Sequence, residues 1–203
     1  MLVLGLACAD CGKRGNAPAG PGVDAGASTP DVDRGGAAAP SPTTSAKVVD
    51  LTLPDAPHRF QKMPLGLDQL AALVASAPQL ARIGAEVVFF EPGDGTYLTR
   101  SRGAHEDFIF TSQPVVWTPK EGVRVLVLTG HGKESSFVAA WMPAPGGGLQ
   151  LESAFVLVHE MSPIALAYKK TDPELMWTTC WQCPGEGGHV TLHEDGHIVI
   201  VQD

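Results

Sequence analysis

Cysteine is scarce in this chain, with four among 203 residues, too few for a disulfide framework to stand in for a hydrophobic core. Cationic side chains are also in deficit. There are 14 Lys and Arg against 22 Asp and Glu, a formal net charge of −8, which argues against a nucleic-acid binder and its basic face. No apolar run approaches the roughly 20 residues that a membrane-spanning helix needs. No G-x-S-x-G occurs anywhere, so the commonest esterase nucleophile elbow is excluded. What the chain does have in quantity is Gly (23) and Pro (17), and they are unevenly spread.

Residues 12–46 are mostly Gly, Ala, Pro, Ser and Thr with a few charges, with no aromatic residue and only Val23 and Val32 as larger aliphatics. Such a segment cannot bury enough apolar surface to offset the entropy of ordering it. It is predicted to be a disordered tether, stiffened locally by Pro18, Pro21, Pro30, Pro40 and Pro42. Three regions are therefore expected: a partial signal-like segment at 1–11, the tether at 12–46 and one globular domain at 47–203.

The opening segment Met1 to Cys8 reads MLVLGLAC, an apolar stretch ending in small residues and a cysteine ahead of the tether. This arrangement resembles a bacterial lipoprotein, with Leu6-Ala7-Cys8 matching the end of the lipobox. The resemblance implies acylation of Cys8, with Cys11 the poorer candidate because Asp10 stands where a small residue is expected. It further implies a cell-envelope location, lipid-anchored in the periplasm or at the cell surface. It covers only the N-terminal end and is silent on the folded domain.

From Lys47 onward the apolar residues recur with period two. Val49, Leu51 and Leu53 alternate with polar residues, and Val123, Val125, Val127 and Thr129 share one face with Leu126 and Leu128 on the other. Alternation marks strands with one solvated face, and unbroken apolar runs mark strands covered on both. Strands are predicted near 47–53, 85–91, 96–101, 107–112, 122–129, 136–142, 148–153, 155–159, 164–169, 174–181, 189–193 and 197–202. Asp94-Gly95 and Asp195-Gly196 supply hairpin turns, and Gly146-Gly147-Gly148 and Thr171-Asp172-Pro173 two further reversals. One helix is expected where Leu67, Leu70, Leu73 and Val74 share a face, with Asp68 in its first turn and Pro78 ending it. A second helical turn fits Gln79 to Ile83. The predicted fold is mainly β: an antiparallel meander forming a sandwich or half-open barrel with one packed helix. Four consecutive strands over 122–159 would also suit a propeller blade, but no repeat at blade spacing supports that alternative.

The motifs that carry chemistry cluster at the C-terminus. His193-Glu194-Asp195-Gly196-His197 satisfies HExxH, which works in zinc peptidases because a helix sets both imidazoles on one face. Here Asp-Gly occupies the interior and a β-branched run follows, so a hairpin tip is predicted instead. Cys180-Trp181-Gln182-Cys183 admits three readings: a local disulfide, half of a zinc site, or a redox dithiol. The last needs a helix start after the first Cys, where Pro184 and Gly185 follow instead. A disulfide suits an exported protein. Cys180 and Cys183 with His189 and His193 make a Cys2His2 zinc set, with His197 a further candidate ligand, although the Cys183–His189 gap is shorter than in a zinc finger. Gly130-His131-Gly132-Lys133 lacks the first Gly and the final Ser or Thr of a phosphate loop and is predicted to be a hairpin connection. Trp177 and Trp181, four apart on a strand, could form an aromatic binding patch or belong to the core.

The resulting expectation is a cell-envelope lipoprotein with a non-catalytic binding or interaction domain, needing no cofactor, whose partner is an envelope protein or polymer and not nucleic acid. The alternatives are a zinc-binding domain built from Cys180, Cys183, His189 and His193, and a hydrolase with a dispersed site.

Overall fold

The computed structural model describes residues 47–55, 58–89, 107–158, 164–179 and 187–203. Cys8, Cys11, the predicted tether, the strand predicted at 96–101, the Asp94-Gly95 turn, Cys180, Trp181 and Cys183 lie outside the described residues.

Among the described residues ten strands form two antiparallel sheets. The first contains β1 (Phe60–Lys62), β3 (Val115–Trp117), β4 (Val125–His131), β5 (Ser135–Pro143) and β6 (Leu149–Val158), in the order β1-β3-β4-β5-β6. The second contains β2 (Ile109–Thr111), β7 (Ala165–Tyr168), β8 (Leu175–Thr178), β9 (Gly187–Leu192) and β10 (Ile198–Gln202), in the order β10-β9-β8-β7-β2. The protein is thus mainly β, an open sandwich with a small helical layer, and its sheets do not close into a barrel.

Alternation along the strands builds this arrangement. In the first sheet Val115, Trp117, Val125, Val127, Val138 and Ala140 face the second sheet and meet Leu166, Tyr168, Leu175, Trp177, Val190, Ile198 and Ile200. Val116, Leu126, Leu128, Phe137, Ala139 and Trp141 point the other way, onto Leu70, Leu73, Val74, Ala77 and Leu80 of the helices. β4 and β5 are covered on both faces, which is why β4 reads as a nearly unbroken apolar run.

The helical layer is α1 (Leu67–Ser76) and α2 (Pro78–Arg82), the latter filling the second turn that the sequence allows. At the start of α1 the Gln69 side chain accepts a bond from the Gly66 amide at 2.9 Å, half of a capping box. Pro78 opens α2 at the first helical position, where its missing N–H costs nothing. The layer meets the first sheet at an apolar interface that holds a polar contact. The Trp141 indole N–H donates to Ser76 Oγ at 3.2 Å, and that hydroxyl donates to the Leu73 carbonyl at 2.7 Å.

Four predicted elements differ from what is found, one of them the strand expected near 85–91, whose described residues make a single bridge, Glu86 with His131. The strand expected at 47–53 makes a single bridge, Val49 with Leu149, because the Leu51 amide turns back onto the Val49 carbonyl at 2.8 Å. Its alternation is nonetheless real, since Val49, Leu51 and Leu53 all join the helical-side core. The two strands expected at 148–153 and 155–159 are one strand, β6, interrupted in register between Ala140 and Trp141 of its neighbour. Ser153 pairs with Ala140 and Leu151 with Trp141, so Glu152 is the extra residue of a β-bulge. The bulge shifts the apolar parity from Leu149 and Leu151 to Ala154 and Val156, and that shift imitates a strand break in the sequence.

Of the predicted hairpin connection at 130–133, Gly130 and His131 are instead the last residues of β4, paired with Phe137 and Ser136, and the turn begins at Gly132; both glycines have a packing reason. The Glu86 segment bridges His131, and a Cβ at Gly130 would lie 2.6 Å from the Glu86 carbonyl oxygen, one at Gly132 2.5 Å from that of Ile83.

Candidate functional site

An open sandwich has two lateral seams. At one seam β10 packs beside β6, and at the other β1 faces β2 and β7. The two seams are built differently.

The β6–β10 seam is fastened by the C-terminal hairpin. The HExxH segment is its tip. The Gly196 amide donates to the His193 carbonyl at 3.0 Å, the His193 amide to the His197 carbonyl at 2.8 Å, and Gly196 has φ +94°. This is a turn closed by a left-handed glycine, not a helix, so the two imidazoles are not presented one helical turn apart. The bulge aims Glu152 out of β6, and its carboxylate bonds His197 Nδ1 at 2.5 Å. That bond, helped by nearby Asp195, raises the His197 pKa above its ordinary value. Asp195 accepts from the His197 amide at 3.1 Å and lies 3.1 Å from His193 Nδ1, which together lower its pKa. His189, on the outward face of β9, pairs with Asp203 at 3.2 Å.

Of the candidate metal ligands, His189, His193 and His197 are therefore each taken up by a different carboxylate. Among the described residues no group of three His, Cys, Asp or Glu side chains is placed to hold a metal ion. Trp177 is a core residue. It is 1% exposed, packs on Phe155 between the sheets, and its indole N–H donates to the Val201 carbonyl at 3.0 Å.

The opposite seam is open. There His58, Arg59, Phe60, Ile109, Tyr168 and Lys170 line a recess of about 380 Å³, within the usual size range of small-molecule sites. Its floor is aromatic: the Phe60 and Tyr168 rings stack at 4.3 Å between centroids with planes 21° apart. Short β1 is pinned in place, since the Thr118 amide donates to the Arg59 carbonyl and the Met63 amide to the Pro114 carbonyl, both at 2.8 Å. This holds Phe60 toward the second sheet and leaves the neighbouring Arg59 exposed at the rim. Lys170 enters from the end of β7, just beyond Tyr168. An adjoining recess continues past Lys170 to Lys169, Thr171 and Asp107. Lys169 there lies over the Phe108 ring, 4.5 Å from its centroid. Burial pushes the Tyr168 hydroxyl above the ordinary tyrosine range, so at neutral pH it remains a neutral donor.

The charge balance at this seam runs against that of the whole chain. The ion pairs among the described residues are Arg124–Asp55, His189–Asp203, His193–Asp195 and His197–Glu152. None of these engages His58, Arg59 or Lys170, so among the described residues Arg59 and Lys170 stand beside an aromatic floor without an ion-pair partner in a chain of net charge −8. Nothing in the sequence singles these residues out. They come from three segments far apart in the chain, and the two short strands that align them, β1 and β3, have three residues each and no visible period. The available local signal was Lys169-Lys170, two adjacent cations in an acidic chain.

Comparison with protein-family models, with characterised proteins and with solved structures gives no match.

Proposed function

We propose that this protein is a cell-envelope lipoprotein, lipid-anchored at Cys8, whose β-sandwich is a non-catalytic binding domain that takes its ligand at the β1–β2–β7 seam. The anchoring half of this reading is supported by the Leu6-Ala7-Cys8 segment and by the Gly-, Ala- and Pro-rich stretch between it and the folded domain. On this reading a segment of that composition and length would let the domain search for a partner away from its anchor. The binding half is carried by one observation: the recess that joins the Phe60–Tyr168 stack to the exposed cations Arg59 and Lys170. Aromatic surface supplies contact area, and exposed cationic side chains supply orientation. Among the described residues no helix is long and apolar enough to cross a membrane.

Two linked measurements test it. The full chain, expressed in a host that processes lipoproteins, is expected in the detergent phase of a Triton X-114 partition, and Cys8→Ser is expected to move it to the aqueous phase. An aqueous wild-type chain would overturn the anchor. The double charge reversal Arg59→Glu with Lys170→Glu is expected to cut co-sedimentation with an isolated envelope fraction at least about tenfold, with an unchanged melting temperature. Undiminished co-sedimentation would overturn the assignment of the seam.

A further inference from the structure

The chemistry of the recess also says what kind of ligand fits it. Resting on the proposed role of the β1–β2–β7 seam as a binding site, we propose that the seam recess recognises a carboxylate borne on a six-membered ring, the ring lying against Phe60 and Ile109 and the carboxylate meeting Arg59 and Lys170. Four features of the geometry support this.

The lining divides into two kinds of group. Phe60, Ile109 and the ring of Tyr168 offer an apolar wall, and His58, Arg59 and Lys170 offer donors at its rim. A ligand that uses both must carry an apolar face and an anionic edge. The volume, about 380 Å³, suits one ring with a substituent and is small for an extended chain. Among anions, a carboxylate matches the planar fork of an arginine through two parallel N–H···O bonds, while lysine contributes a compact charge without such directionality. Finally, no carboxylate among the described residues forms an ion pair with Arg59 or Lys170, so among those residues a bound anion displaces no partner. Among the described residues that line the adjoining recess, Asp107 is the acidic one, beside Lys169 and Lys170. The described lining of the two recesses thus carries more cationic than anionic side chains.

Such a ring can come from an aromatic acid or from a sugar acid of an envelope polymer. The shared chemistry is the ring-borne carboxylate, and the test separates the two sources. Isothermal titration of the full chain at low ionic strength uses benzoate and glucuronate as the acidic probes, with benzyl alcohol and methyl glucoside as their neutral counterparts. A ligand of this size is expected to bind with a dissociation constant on the order of a millimolar. At least one acid should bind about tenfold or more tightly than its neutral counterpart. Its affinity should fall as salt is raised, and Arg59→Gln with Lys170→Gln should abolish the difference between acid and neutral probe. Binding of benzoate alone would identify the aromatic acid as the source, and binding of glucuronate alone the sugar acid. Equal affinities for acid and neutral probes, or an undiminished preference in the Arg59→Gln, Lys170→Gln variant, would overturn the carboxylate assignment. So would heat-free titrations with all four probes. In that event the Arg59→Glu, Lys170→Glu sedimentation result decides separately. If the charge reversal still abolishes envelope binding, the site stands and only its ligand class is wrong. If it does not, the site itself is wrong.

Discussion

Replacing Ser76 by Ala removes one oxygen atom and should loosen the attachment of the whole helical layer. Ser76 is 1% exposed and Trp141 fully buried, and the hydroxyl both accepts from the indole N–H and donates to the Leu73 carbonyl. Without it, the indole N–H is left in an apolar interface formed by Leu73, Val74 and Ala139. Orphaning a buried neutral donor costs about 1–3 kcal/mol. Against this stands the better helix propensity of Ala, about 0.5 kcal/mol, reduced because Ser76 is the last residue of α1. The expected net loss is about 1–2 kcal/mol, or about 2–8 °C in melting temperature for a domain of this size. Urea denaturation of Ser76→Ala, Trp141→Phe and the double variant forms a cycle that isolates the contact. Trp141→Phe removes the donor as well as ring volume, so in that background Ser76→Ala should cost about 1 kcal/mol less than in the parent. A Ser76→Ala protein within about 0.3 kcal/mol of the parent, or a cycle that closes at zero, would refute the claim that this hydrogen bond docks the helices on the first sheet.

The bulge-directed pair at the other seam makes the hairpin tip sensitive to pH. The Glu152 bond raises the His197 pKa above 6.5, so its contribution is fully present below that ordinary value and fades as pH rises through the raised one. Asp195 behaves in the opposite sense: its lowered pKa gives a contribution present above the ordinary 3.8 and lost as pH falls through the lower value. An NMR titration should place His197 above a model histidine, and Glu152→Gln should return most of the shift. An unshifted His197 in the parent would refute the pairing. Two glycine substitutions in the same hairpin should rank in a fixed order. An Ala Cβ at Gly188 would lie 1.9 Å from the Val201 carbonyl oxygen, the acceptor of the Trp177 indole, and should cost at least about 2 kcal/mol. Gly196 at φ +94° faces open space, so Gly196→Ala should cost only the left-handed strain, about 1–2 kcal/mol. Melting temperatures that reverse this order would contradict the register of β9 and β10.

Much of the architecture is legible in the sequence because the burial pattern repeats locally. Val125, Val127, Leu126 and Leu128 announce a strand covered on both faces, and they are split between the two cores. Leu70, Leu73 and Val74 announce α1, with Pro78 separating it from α2, whereas Leu67, read with them as one face, is 79% exposed at the start of the helix. Asp195-Gly196 announces the final hairpin, and this is what distinguishes the HExxH segment from a peptidase helix. Where the pattern changes for a non-local reason, the reading falters. The bulge at Glu152 has no signature beyond a parity shift, and its purpose, reaching His197, is visible only once β6 and β10 lie side by side. β1 and β3 are too short to show a period, yet they set the edge of the first sheet and carry Arg59 and Phe60 to Tyr168. The sequence directs attention to the C-terminal cysteines and histidines because short motifs are easy to see. The recess assembled from His58, Arg59, Ile109, Tyr168 and Lys170 has no motif, since its residues meet only through tertiary structure.

The central claim, that the open seam and not the histidine-rich hairpin is the binding surface, is tested most directly by chemical-shift mapping. An assigned ¹H–¹⁵N spectrum of the full chain would be titrated with benzoate and with glucuronate. The account predicts that the largest shifts fall on residues 58–62, on Ile109 and on residues 168–170, with residues 193–197 unmoved. Shifts concentrated on His193 to His197, or spread without a centre across both sheets, would contradict it.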